Sequence, residues 1–106
     1  MKKKASSVVS VCHCEHHPWL SASLTQNSKI EKFLGKVHKN RQELPQYYRL
    51  NGAVFLIGVD TFKKARTFIG KNTYAYVMPT ARSVDIDNSL DFEFAELLAQ
   101  KQSRKY

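Results

Sequence analysis

No stretch of this 106-residue chain approaches the roughly 20 consecutive apolar residues that a membrane-spanning helix needs. The basic start, Met1-Lys2-Lys3-Lys4, runs into a short alternating pattern and not into the apolar core of a signal peptide. The expectation is a cytoplasmic protein with no membrane partner. Cysteine is scarce as well: Cys12 and Cys14 are the pair present, and in such a setting they give no reason to expect a disulfide. With His13, His16 and His17 beside them they invite a zinc reading, yet C-x-C is not the usual ligand spacing and only His38 lies downstream. On a strand, Cys12 and Cys14 share a face and suit small apolar core positions. Internal repeats and low-complexity linkers are absent, so one domain is expected over residues 1–106.

Acidic residues are also few, 9 against 17 Lys and Arg, for a net charge of +8. Such a balance favours phosphate-rich partners, either nucleic acid or a nucleotide. The charge is scattered, however: Lys2 to Lys4, Lys36 to Arg41, Lys63, Lys64 and Arg66, then Lys101, Arg104 and Lys105. Scattered cations read as solvated surface more readily than as a binding stripe. A basic binding or interaction module, for nucleic acid or a partner protein, therefore stands as the alternative function. At 42% hydrophobic and 25% charged residues the composition is that of a globular protein.

The pattern along the chain predicts alternating strands and helices. Residues 7–14 are rich in β-branched and small side chains and read as a buried strand. His17-Pro18 breaks it. Residues 19–24 alternate apolar and polar as a half-buried strand, 26–28 form a turn, and 29–34 return as a second strand. Residues 36–47 read as a loop or short helix. Asn51-Gly52 is a turn signal ahead of 53–58, an apolar run suited to a fully buried strand of a mostly parallel sheet. Asp60 or Thr61 can cap a helix reaching Arg66 or Phe68. A strand over 73–78 ends at Pro79. The last helix, about 89–102, carries Leu90, Phe94, Leu97 and Leu98 on one stripe, with Asp87, Asn88 and Ser89 as candidate caps. The order is α/β with an inserted two-stranded arm.

Chemistry concentrates in Ser83-Val84-Asp85-Ile86-Asp87. On an extended segment Asp85 and Asp87 point to one side, while Val84 and Ile86 face a core. Two converging carboxylates, with Asp91 a helical turn further on, are hard oxygen ligands suited to Mg²⁺, which fills its shell with waters and substrate phosphates. An Asx-rich turn capping the next helix is the other reading of the same residues. A nuclease-type use of the pair lacks a well-placed general base.

Several runs occur in a telling order: Ser7-Val8-Val9-Ser10-Val11-Cys12, Glu15-His16-His17-Pro18, Arg41-Gln42-Glu43-Leu44-Pro45, Tyr48-Arg49-Leu50-Asn51-Gly52-Ala53-Val54-Phe55, Ala75-Tyr76-Val77-Met78-Pro79, Ser83-Val84-Asp85-Ile86-Asp87 and Leu90-Asp91-Phe92. Together they resemble the C-terminal half of the acylneuraminate cytidylyltransferases (CMP-sialic acid synthetases) over about residues 5–100. The resemblance implies the C-terminal half of a Rossmann-like nucleotide-diphospho-sugar transferase domain of three layers, with residues 16–50 as an inserted β-hairpin dimerisation arm. It implies joining of CTP to N-acetylneuraminate or another nonulosonic acid, giving the CMP-sugar and pyrophosphate. Asp85 and Asp87 would hold Mg²⁺ together with bound nucleotide. Arg41 would grip the sugar carboxylate with its bidentate fork. Asn51 and Gly52 would shape the pocket wall, and Phe55 and Phe68 would line it, Phe68 against the sugar's apolar face.

Three departures from the family matter. Phe55 stands where some members have a tyrosine, and Leu20 where some have a lysine, which leaves the choice of nonulosonic acid open. The phosphate loop of I-P-A-R-x-G-S-K type does not occur in these residues. The expectation is an enzyme fragment inactive alone, with an N-terminal half encoded separately as a possible partner. An unpaired apolar sheet edge then favours a homodimer or higher oligomer.

Overall fold

The computed structural model describes residues 5–35 and 44–103. The chain divides into two compact units, Met1–Cys12 with Leu50–Tyr106, and His13–Arg49.

In the first unit the β-branched run becomes β1 (Ser7–His13), the central strand of a three-stranded sheet ordered β4-β1-β5. Central placement buries it on both faces, and Val9, Val11 and Cys12 are the buried apolar residues among those described. β5 (Thr73–Val77) runs parallel to β1, with Ser7 opposite Thr73 and Val11 opposite Val77. β4 (Tyr48–Ile57) runs the other way. Gly58 N–H reaches Ser6 O at 3.3 Å and Val54 N–H reaches Ser10 Oγ at 2.8 Å, a pairing in which the two strands count in opposite directions.

Here the structure corrects the sequence reading twice. Asn51-Gly52 does not precede β4 but lies inside it, Gly52 absorbing the irregularity at φ 74°. Residues 53–58 are not a fully buried parallel strand either: Val54, Phe55 and Leu56 are exposed. An apolar run reports that a surface will be covered, but not by what.

α1 (Val59–Ala65) follows at once, with Gly58 as an N-cap lacking a side-chain bond; Asp60 sits in its first turn and acts on the dipole, not as the cap. Arg66 closes it in the left-handed region at φ 57°, its N–H on Phe62 O at 2.8 Å. Ser7 Oγ donates to Phe68 O at 2.6 Å, which pins the following loop to β1. α2 (Ser89–Ser103) begins where expected. Of its predicted stripe Leu90, Phe94 and Leu97 are exposed and Leu98 is half-buried. Ala95, Leu98, Ala99 and Gln102 line a cavity of about 300 Å³ with Ala81, Arg82 and Val84. Among the described residues no helix is long and apolar enough to cross a membrane.

The second unit holds a hairpin of β2 (Ala22–Leu24) and β3 (Ile30–Phe33), antiparallel, with Ala22 opposite Phe33 and a bulge next to Leu24. Ser28 turns the chain at φ 66°. The strand expected from residue 19 starts later, because Pro18–Leu20 form a 3-10 turn. His17 fixes that turn: its Nδ1 accepts from Trp19 N–H at 3.1 Å, leaving Nε2–H to donate to Pro45 O at 2.7 Å. With both ring nitrogens engaged, His17 is a structural residue. Gly35 passes so close to Trp19 that an added Cβ would lie 2.3 Å from the Trp19 carbonyl oxygen and 2.7 Å from its Cβ. Glu15 and Arg49 form a bidentate pair at 2.9 and 3.0 Å. The Arg49 hydrogen bond, more than any other influence, pulls the Glu15 carboxyl down to about 2.

Two outcomes follow from this unit. Gly35→Ala should lower its stability by about 2 kcal/mol, the usual cost of overpacking, read as a lower denaturant midpoint. The Glu15 pair should add stability at neutral pH and lose it as pH falls from about 4.5, the ordinary value, through about 2. Being partly exposed, the pair contributes under about 1 kcal/mol. Titration by NMR should return Glu15 to the ordinary range in Arg49→Ala; an unmoved titration would assign the depression to another group.

Candidate functional site

The acidic segment is built by its two flanks. After β5, Pro79 leads into a 3-10 turn (Thr80–Arg82), and Ser83 N–H closes it on Thr80 O at 3.0 Å. Ser83 is 3% exposed, so the chain leaves the turn anchored in the interior. Val84 is half-buried, whereas Ile86 is exposed; the alternation places one apolar residue inward, not two, and no strand forms.

Asp85 and Asp87 are both exposed, and among the described residues neither carboxylate has a hydrogen-bond or ion-pair partner. Asp91 is different. Its Oδ2 accepts from Asp87 N–H at 3.0 Å, while its own N–H donates to Asn88 Oδ1 at 2.8 Å. Asn88 O accepts the first helical bond, from Phe92 N–H, at 3.1 Å. Asn88 is thus the side-chain cap of α2, and Asp91 reaches back past it to the preceding residue, a variant of the capping box. The capping reading applies to Asn88 and Asp91, while Asp85 and Asp87 take no part in the cap.

Among the described residues no three His, Cys, Asp or Glu side chains form a ready metal cage, the Cys12–His17 region included. Two unpartnered carboxylates nevertheless fit Mg²⁺ in donor chemistry, since that ion keeps waters and takes its remaining oxygens from phosphate.

The other expected site residues fall into three groups. Arg41 lies outside the described residues. Asn51 is committed within the fold: Oδ1 accepts from Ser10 Oγ at 2.5 Å and Ala53 N–H at 3.2 Å, and Nδ2 donates to Ser83 Oγ at 2.8 Å and Met78 Sδ at 3.4 Å. Next to it, Gly52 opens the backbone with no atom near its missing Cβ. Phe55 and Phe68 meet edge to face at 5.5 Å between centroids, and Phe62 touches Phe68 at the same separation. Phe55 is exposed and Phe68 half-buried, so the pair presents an aromatic edge to solvent. Sequence reasoning missed Ser10 and Ser83. Serines embedded in S-V-V-S-V-C and S-V-D-I-D, where apolar neighbours are heading inward, were the available signal of a buried polar link.

No protein-family model matches the chain. Individual proteins do. Over 104 residues it is 31% identical to the N-acylneuraminate cytidylyltransferase of Escherichia coli O18:K1:H7, a match covering 97% of this chain and 25% of that protein. It is 34% identical over 88 residues to the N-acylneuraminate cytidylyltransferase of Streptococcus agalactiae serotype III, covering 81% of this chain and 21% of that protein. The chain is homologous to the acylneuraminate cytidylyltransferases. The CMP-N,N'-diacetyllegionaminic acid synthase of Campylobacter jejuni is a further relative, 28% identical over 91 residues, 86% of this chain and 39% of that protein. This cytidylyltransferase homologue therefore spans well under half the length of these relatives.

Asn88→Ala should cost about 1 kcal/mol at the start of α2. Amide exchange at Asp91 and Phe92 should quicken accordingly; unchanged protection would show that the cap bears no weight.

Proposed function

We propose that this chain is the acceptor-side portion of an acylneuraminate-type cytidylyltransferase, acting in the cytoplasm on CTP and a nonulosonic acid. The observation that carries the reading is that similarity to two N-acylneuraminate cytidylyltransferases extends over 97% and 81% of the chain; Asp85 and Asp87, exposed and unpartnered, are in keeping with it. In the reaction proposed, the sugar's anomeric oxygen forms a bond to the α-phosphorus. The bond from that phosphorus to the leaving pyrophosphate breaks in line, and the hydroxyl proton passes to solvent. Little covalent chemistry falls to the protein, whose work is positioning and charge stabilisation.

Asp85 and Asp87 are the proposed Mg²⁺ ligands. When bound with nucleotide, the ion offsets charge on the triphosphate. Arg41 is proposed to hold the sugar carboxylate as a bidentate pair. Phe55 and Phe68 offer an apolar edge for the sugar's carbon face, and Gly52 lets backbone come close to it. A nonulosonic acid other than N-acetylneuraminate is compatible with Phe55, whose ring lacks a hydroxyl, and a legionaminic acid derivative appears in one relative's name.

The finer architecture belongs to the same proposal. We read β4-β1-β5 as part of a larger Rossmann-like sheet in the C-terminal portion of a three-layer domain, whose remaining layers cover Val54, Leu56, Tyr76 and Val77, all exposed here. The hairpin is read as a dimerisation arm. Every residue of β2 and β3 is exposed, Leu24, Ile30 and Phe33 included, and a bare two-stranded ribbon is marginal in water. The residues that cradle the triphosphate would come from sequence outside these 106 residues, on the same or another polypeptide.

The test is reconstitution. Mixed with CTP, Mg²⁺ and N-acetylneuraminate or a legionaminic acid, the 106-residue chain alone should release no pyrophosphate. Co-expressed with the N-terminal half of a relative, it should form CMP-sugar, and Asp85→Ala with Asp87→Ala should cut the rate at least about 100-fold, as expected for lost electrostatic stabilisation. Turnover by the chain alone, or an active complex indifferent to both substitutions, would overturn the reading.

A further inference from the structure

The interior of the sheet unit is built around polar atoms as much as apolar ones. Ser10 is 1% exposed and Ser83 is 3% exposed, and both hydroxyls are fully paired. Ser10 Oγ sits on the central strand, accepts from Val54 N–H at 2.8 Å and gives its one proton to Asn51 Oδ1 at 2.5 Å. The orientation of the Asn51 amide is fixed by Ala53 N–H, which needs an acceptor at Oδ1. Nδ2 must then face Ser83, whose Oγ accepts from it at 2.8 Å and donates to Pro79 O at 2.8 Å. A continuous chain of hydrogen bonds thus runs from the middle of β1, across β4, to the residue two before Asp85.

The far end of the acidic segment is held separately, by Asp91 Oδ2 on Asp87 N–H. Ser83 and the α2 cap therefore clamp both ends of a short stretch that presents two unpartnered carboxylates between them. Like charges so close in sequence repel and favour a splayed segment. A cation that binds both would meet them on a segment already held at its two ends.

We infer that Ser83 is a positioning residue, tied through Asn51 to Ser10, that preorganises Asp85 and Asp87 for a divalent cation. This rests on the metal role proposed above for those two aspartates. It also gives Asn51 an inward task beside the pocket-wall position expected of it.

Backbone relaxation and Mn²⁺ titration of the 106-residue chain test it by NMR, in wild type, Ser83→Ala, Ser83→Thr and the double variant Asp85→Asn with Asp87→Asn. Ser83→Ala should leave amide positions unchanged outside 79–91 and the thread's own partners at Ser10 and 51–54, raise mobility over 84–87, and weaken Mn²⁺-induced broadening there about tenfold, the scale set by one buried hydrogen bond. Ser83→Thr should restore both, and the double variant should abolish the broadening. If Ser83→Ala disturbs the spectrum beyond those residues, Ser83→Cys, which keeps a weaker donor and acceptor on a larger atom, is read in the same way. Unchanged mobility over 84–87 overturns the inference whatever the metal does. Higher mobility with equal Mn²⁺ affinity also overturns it, since the tether would then be purely structural. Absence of broadening in wild type, with mobility still responding to Ser83, also overturns the inference, because the chain would then not preorganise the two aspartates for an ion by itself; the metal role with nucleotide is read separately, from the reconstituted complex.

Discussion

A hydroxyl on the central strand of a sheet cannot reach water, and an unpaired one would cost roughly 1–3 kcal/mol. Ser10 occupies such a position, and the way its hydroxyl is satisfied organises everything near it. Asn51 is drawn inward from β4, which forces the neighbouring Gly52 into a positive φ and makes β4 irregular at that point. The other end of the same amide takes hold of Ser83 and so decides where the acidic segment leaves the sheet. A polar thread therefore sets the geometry that an apolar core would set elsewhere.

The scarcity of buried apolar residues gives that thread its weight. Val9, Val11 and Cys12 form a narrow seam along β1, while β4, β5 and α2 carry exposed Val54, Leu56, Tyr76, Leu90 and Phe94. Large exposed apolar surface marks places where other protein sits. The chain spans 39% and 25% of the length of two of its relatives. The hairpin unit meets a similar shortage by different means: an aromatic cluster of His17, Trp19 and Tyr47, the close approach of Gly35, and the Glu15–Arg49 pair.

Element type was legible where local chemistry dominates. β1, β5 and α2 were readable from β-branched runs and from Asn88 in capping position, and they occur within a residue or two of the expected bounds. The motifs that resemble the cytidylyltransferases were also legible, and the homologues have that name. Less was readable where a distant partner chooses the outcome. Residues 19 and 20 alternate like a strand, yet a long-range bond from His17 to Pro45 accompanies a 3-10 turn there. Leu90, Phe94 and Leu97 form a stripe of the right period, but periodicity does not say which face meets the sheet.

By itself the amino-acid order determined the kinds of element, the Asn88 cap of α2, the kinship with acylneuraminate cytidylyltransferases and the presence of two aspartates separated by one residue. These are short-range matters, settled by backbone sterics, side-chain hydrogen bonding to nearby peptides and the alternation of a strand. Only the tertiary structure decided that β4 opposes β1 and that Asn51 turns inward to reach Ser83. Those outcomes depend on atoms more than 30 residues apart coming within hydrogen-bond distance, as Ser10 and Asn51 do with a separation of 41 and Asn51 and Ser83 with one of 32. No local rule of propensity or spacing encodes such pairings; they are fixed by which buried polar groups find one another when the sheet closes.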